Sequence, residues 1–253
     1  MPFKLYNAPQ STCSQRVRFV LNAKNIPFAE EKLDLLAGDQ LKPDYLAINP
    51  NGVVPTLDHD SAIVIDSSVI IEYLDEIAPQ PLDFTPHDPV QRAKMRTLMH
   101  FMDEMPAPAV RVPTFNLAFL PRFAAMSEDE FVAFANSKPL RREFMLAMGR
   151  KGFPQKDMDE ALARLRRTYE RMDAEIAKSG GPWLLGKDIS LADVMAMPAL
   201  VRMADLGQDT AWQDLPRVQR WFEAIRAHPA FVPTYYPGSL LTERFPHLRK
   251  SAA

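Results

Sequence analysis

The chain has 253 residues, 47% of them apolar and 25% charged, with a formal net charge of −2. That length holds one large or two small domains with ample core, and the near-neutral charge gives no electrostatic case for a nucleic-acid or anionic-membrane partner. A single cysteine excludes an internal disulfide framework; with no charged-then-apolar leader and no membrane-length apolar run, the expectation is a cytoplasmic soluble protein.

Residues 3–6 read as a short strand, and Asn7-Ala8-Pro9-Gln10 as the loop leaving it. From Ser14, the positions Val17, Val20, Leu21 and the stem of Lys24 fall at helical spacing, which predicts a helix ending near Asn25. Residues 28–35 mix apolar and charged side chains as a second strand does, and residues 38–48 form an irregular helical segment. The stretch Pro50-Asn51-Gly52-Val53-Val54-Pro55-Thr56-Leu57 is a turn feeding an edge strand. Asn51 and Gly52 tolerate positive φ, and Pro55 holds Val54 extended. A proline at the mouth of a strand is a candidate cis residue, presenting the preceding N–H and C=O to an added peptide strand; the alternative is an ordinary edge-strand proline. Residues 56–58 and 62–65 predict a hairpin across His59-Asp60-Ser61, and a helix follows from Ser67 to about Ile77. The order is β-α-β-α-β-β-α.

Residues 79–89 form a Pro-rich linker, and the rest of the chain reads as helix. Residues 90–105 are amphipathic, and residues 157–178 repeat Met158, Leu162, Leu165, Tyr169, Met172 and Ile176 at steps of four and three. Pro106, Pro108, Pro113 and Pro121 are expected to break any long helix in the 106–156 stretch. Ser190 reads as an N-cap with Asp193 returning a bond in a capping box and Ile189 stapling onto Val194. Residues 232–253 look like an extended flap.

The set Lys4-Leu5-Tyr6, then Ser11-Thr12-Cys13-Ser14-Gln15-Arg16-Val17-Arg18, then the Val54-Pro55 turn and Asp66-Ser67, resembles the N-terminal domain of the glutathione transferase superfamily over residues 3–78. The resemblance implies an α/β thioredoxin-like domain over residues 1–78, a linker over 79–89, an all-α helical bundle over 90–231 and an extension over 232–253. It also implies glutathione as co-substrate, no metal, and a dimer, with homodimer and heterodimer both open.

The same resemblance distributes glutathione over named residues. A hydroxyl at the start of the first helix would stabilise the thiolate. The zeta-like frame Ser-Thr-Cys-Ser points to Ser11 with Thr12 beside it, whereas alignment with bacterial β-etherases points to Ser14, otherwise a plain N-cap. Cys13 is an alternative as a residue forming a mixed disulfide. Val54, before Pro55, would pair with the cysteinyl backbone. Ser67 would take the γ-glutamyl carboxylate, Asp66 the ammonium, and Lys42 or Gln40 the glycyl carboxylate. The electrophile pocket should come from the second domain, with Met99, Met102, Met105, Phe115, Leu117 and Phe119 as candidates and core packing as their alternative role.

Residues Asp88 to Arg96, the Gly152-Phe153-Pro154 stretch and Ser179 to Leu184, together with the long 106–156 insertion, resemble the β-etherases of lignin-degrading bacteria. That implies thiolate attack on the β-carbon of an aromatic keto ether, releasing a phenol. A zeta-like isomerase or general glutathione transferase, and a non-catalytic glutathione-binding partner subunit, are the alternatives. Isomerisation of a dicarboxylate would need cations, for which Arg111 and Arg122 are the obvious supply.

Overall fold

The computed structural model describes residues 3–251; residues 1–2 and 252–253 of the expected outer segments lie outside the described residues. Strands β1 (Phe3–Asn7), β2 (Phe28–Lys32), β3 (Thr56–His59) and β4 (Ala62–Ile65) form one sheet ordered β2-β1-β3-β4. β1 is parallel to β2 and antiparallel to β3, with fully buried Leu5 opposite fully buried Leu57. β2 is shorter than expected. Beyond Leu33 the Asp34 carboxylate accepts the N–H groups of Leu36 (2.9 Å) and Ala37 (3.2 Å), a local turn that competes with the ladder. The β3–β4 turn is only Asp60-Ser61, both at positive φ, so His59 joins the strand.

Helices α1 (Thr12–Ala23), α2 (Pro43–Ile48) and α3 (Ser67–Ile77) complete this domain, with a 3₁₀ turn at Asp39–Leu41. Lys24, expected only to lend its stem, carries a fully buried ammonium. Its Nζ lies 2.7 Å from Asp75 and donates to the carbonyls of Ala78 and Leu82 at 2.6 Å each, tying the linker to α1.

The second domain follows as α4 (Pro89–Glu104), α5 (Pro106–Ala109), α6 (Arg111–Thr114), a π turn (Phe115–Phe119), α7 (Leu120–Ala124), α8 (Glu128–Asn136), α9 (Arg142–Met148), α10 (Gln155–Ser179), α11 (Leu191–Asp205), α12 (Pro216–Ala227), α13 (Phe231–Thr234) and α14 (Leu241–Arg244). The clustered prolines shorten the helices without abolishing them. Pro106 and Pro121 sit in first turns, where a missing N–H costs nothing. The tail is no extended flap: α13, α14 and a closing 3₁₀ turn pack back on the body, and Thr234, Ser239 and Leu241 are buried. No helix among the described residues is long and apolar enough to cross a membrane.

Two helices run through the centre. α11 is buried continuously from Leu191 to Met203, and α1 packs between α3 and α11. The capping box forms as expected, with Ser190 N–H and Oγ donating to Asp193 at 2.9 and 2.8 Å. Asp193 also accepts from Leu184 N–H (3.0 Å) and Trp221 Nε1 (2.7 Å), so one fully buried carboxylate joins α11, α12 and the turn before them. Replacing it by alanine strands several buried donors. Asp193→Ala is expected to cost at least ~3 kcal/mol in urea unfolding, while Trp221→Phe costs less because it removes donor and bond together.

Candidate functional site

The N-terminus of α1 opens on a cavity of about 230 Å³ bounded by both domains. Ser11 is the N-cap: its N–H donates to Ala8 C=O (3.0 Å), and its Oγ accepts from Ser14 N–H (3.2 Å). That leaves the Ser11 hydroxyl proton, and the N–H groups of Thr12 and Cys13 in the first turn, available to a negative group. Ser11, Thr12 and Cys13 all line the cavity. Ser14 does not. It is fully buried behind the first turn, and its Oγ accepts from Ala8 N–H at 3.4 Å, so the residue favoured by the β-etherase alignment holds the loop in place.

Val54 and Gln40 also stand in the wall. The Val54-Pro55 bond is cis, as the turn chemistry suggested, and Pro55 lies buried outside the wall. Gln40 keeps a buried Oε1 without a partner. Lys42 turns instead to the surface and pairs with Asp39 at 2.7 Å, because the 3₁₀ turn places the two on one side. Asp66 caps α3 by accepting from Ser68 N–H (2.9 Å), and Ser67 Oγ accepts from Arg16 Nη1 (3.3 Å). Both lie at the start of α3, outside the cavity wall. The orphaned Gln40 oxygen and the open first turn of α1 are features that a bound tripeptide thiol fits.

The electrophile side departs from expectation. Met99 and Met102 are core residues of α4, and Met105 packs against Arg164; none of the three lines the cavity. The apolar face of α4 is taken up by packing on α11. Leu117 packs on the main core, while Phe115 and Phe119 do line the cavity, joined by Phe123, Phe134, Leu140 and Met145. Phe115 meets Phe119 edge-on at 5.0 Å, and Phe123 meets Phe134 at 5.6 Å. These rings belong to a small core inside the 106–156 insertion, so one cluster both folds that insertion and faces the cavity.

Sequence reasoning named Arg111 as a pocket cation but missed the other charges of this wall. Arg111, Lys138, Arg141, Arg202 and Arg244 line it, and no aspartate or glutamate among the described residues does. Arg122 lies outside, donating to Leu36 C=O. Arg244 pairs with Asp34 at 2.7 Å, and Arg202 donates to Thr114 Oγ1 and the Gln10 carbonyl. Arg111, Lys138 and Arg141 have no carboxylate partner among the described residues. Burial, then the charge of Arg141, pushes Arg111 down to about 10, and the Cys13 side chain opposes the effect. Burial likewise lowers Arg141, again opposed by Cys13. Burial and then Arg122 push Lys138 down to about 8. The run Lys138-Pro139-Leu140-Arg141-Arg142 was a visible signal, but only the fold turns two of its cations inward.

Glutathione S-transferase N-terminal and C-terminal domain models match residues 5–82 and 155–224. A maleylacetoacetate isomerase of Aspergillus fumigatus is 35% identical over 204 residues, spanning 78% of this chain and 74% of that protein. The chain belongs to the glutathione S-transferase family. Its fold is the glutathione transferase fold, a thioredoxin-like sheet domain joined to a helical domain. Protein LigF of Sphingobium sp. is 28% identical over 237 residues, 91% of each chain. The crystal structure of β-etherase LigF from the same genus superposes with a TM-score of 0.82 at 27% identity, covering 93% of this chain and 99% of that one.

Two measurements follow from this geometry. Ser11→Ala and Thr12→Val should identify the thiolate donor by a loss of about 10²-fold in kcat/KM and of ultraviolet thiolate absorbance at neutral pH. Ser14→Ala should change stability and leave that absorbance in place. For Lys138, both folded and unfolded states are protonated below about pH 8; above it only the unfolded state holds the proton, up to its ordinary 10.5. Folding stability should therefore rise between about pH 8 and 10.5 relative to Lys138→Met, in paired urea titrations.

Proposed function

We propose that this glutathione S-transferase is a β-etherase, cleaving β-aryl ether bonds of lignin-derived aromatic ketones with release of a phenol. The observation that carries the reading is the juxtaposition, in one cavity, of the α1 N-terminus, unpaired Arg111 and Arg141, and a wall of phenylalanines. Glutathione, when bound, supplies a thiolate nucleophile. Ser11 or Thr12, the first-turn N–H groups and the nearby guanidinium charge favour that anion over the thiol. Val54 and Gln40 hold the peptide part, with Asp66 and Ser67 at its γ-glutamyl end.

The aromatic wall of Phe115, Phe119, Phe123 and Phe134 aligns an aryl ketone. Attack forms a C–S bond at the β-carbon and breaks the C–O bond, and the electron pair leaves with the aryloxide. Arg111 stabilises the charge that develops on that oxygen before water protonates it. The extent of similarity to LigF supports the same reading.

A second reading has its own observation. The unpaired cations suit a dicarboxylate, and the Aspergillus relative is a maleylacetoacetate isomerase, so cis-trans isomerisation of a maleyl-type acid is the alternative. A non-catalytic glutathione-binding partner subunit has no specific observation in its favour. We also infer a cytoplasmic dimer, for which Ile63, Val69 and Val90 offer exposed apolar side chains on β4, α3 and the start of α4.

The deciding assay offers glutathione and each enantiomer of a β-aryl ether ketone bearing a fluorescent phenol. Phenol release matched by a glutathione thioether, and a drop of at least about tenfold in kcat for Arg111→Met, is the expected result. Turnover of a maleyl-type acid without phenol release would replace this reading by the isomerase.

A further inference from the structure

We propose that Lys138 and Arg141 form a carboxylate-recognising subsite in the electrophile half of the cavity, so that the aromatic substrate is an aryl carboxylate rather than a neutral arene. The inference deepens the reading above and rests on it for the aryl part.

Lys138 is the centre of this subsite. The residue is only 8% exposed, and its Nζ is buried with no hydrogen-bond acceptor. What it has is the face of Phe134, whose ring centroid lies 4.1 Å away. A dry ammonium carrying only a cation–π contact is a costly arrangement, because desolvation is not offset by a paired charge. Lys138 stands in the wall of the cavity, so an anion entering there supplies the missing partner.

The loop between α8 and α9 brings a second charge alongside. Arg141 N–H donates to the Lys138 carbonyl (3.3 Å), closing a turn that places both side chains on the cavity, with Phe134 before them and Met145 after them. One continuous segment, 134–145, thus offers a ring contact, an ammonium, a guanidinium and an apolar floor. That combination is complementary to an aromatic ring bearing a carboxylate.

Glutathione does not account for Lys138. The reading above places its thiolate at the first turn of α1 and its γ-glutamyl end at the start of α3, both in the first domain. Lys138 belongs to the second domain and is packed on its phenylalanine cluster. The groups facing it add no protein counter-charge: Arg122 is the charge felt next, and the remaining ionisable wall residues are Cys13 and the arginines already named.

The test separates this subsite from both glutathione and turnover. The chain, saturated with S-methylglutathione, is titrated calorimetrically with 2-naphthoate and with 2-naphthamide at pH 7. The expected result is at least tenfold tighter binding of the acid, lost in Lys138→Met and partly kept in Lys138→Arg, with glutathione affinity within twofold in both variants. Lys138→Met replaces an unpaired charge by a methionine of similar length, so it should fold at least as stably, which circular dichroism checks. Equal affinities for acid and amide overturn the proposal, as does a preference that survives Lys138→Met. A fall in glutathione affinity in Lys138→Met also overturns it, assigning the lysine to the peptide instead. Phenol release is scored separately: its absence alongside a lysine-dependent preference for the acid refutes the β-etherase reading, not the carboxylate subsite.

Discussion

The helix α1 is closed in by α3 on one side and α11 on the other, and it carries two arginines into that enclosure. A guanidinium has five donors and does not shed its proton, so burying it obliges the surroundings to supply acceptors. Arg18 takes Asn7 Oδ1 (2.6 Å) and the carbonyls of Pro9 (2.8 Å) and Thr234 (3.1 Å); Arg16 takes Asp103 (2.7 Å) and Ser67 Oγ. Those few bonds fix the loop before α1, the start of α3, α4 and the tail relative to one another. The cavity sits where these elements meet. One end of it is the N-terminus of the very helix so held.

The two walls of the cavity obey different constraints. The first-domain wall is backbone-rich: the first turn of α1, the stretch before cis-Pro55 and the turn carrying Gln40. Backbone groups in such a wall are not disturbed by side-chain substitutions in the other domain. The second-domain wall comes from the insertion, which folds around its own cluster of Phe123, Phe131, Ala135, Met145 and Met148. Because the same rings serve as core and lining, changes of guest shape and changes of stability are coupled there. The cations are coupled too. Arg141 adds to burial in holding Arg111 down, and the Cys13 side chain opposes the effect at both, so this wall favours anions.

The tail shows how a long-range contact converts an unremarkable sequence into part of the site. Arg244 reaches Asp34 in the first domain, and Tyr236 donates to Glu30 in β2 at 2.5 Å. These bonds fold residues 232–251 back over the sheet edge. Nothing in the local composition of Tyr235-Tyr236-Pro237-Gly238 requires that, since a Pro/Gly-rich segment is equally content as an exposed turn.

By itself the sequence determined the order of elements in the sheet domain and the family. Period-3.6 and period-2 patterns, turn residues and the Ser190–Asp193 box are local, and local signals survive without knowledge of the fold. Ser11, Thr12, Gln40, Val54, Phe115 and Phe119, which it singled out, stand at or beside such signals and line the cavity. Tertiary structure decided the rest. It turned Ser14 and Met102 inward and sent Lys42 out to Asp39. It gathered Arg111, Lys138, Arg141 and Arg202 from positions up to 91 residues apart, the difference between 202 and 111, around one cavity. A lone cation reads in sequence as a solvated surface group. Only the packing of two domains decides which cations are stripped of water.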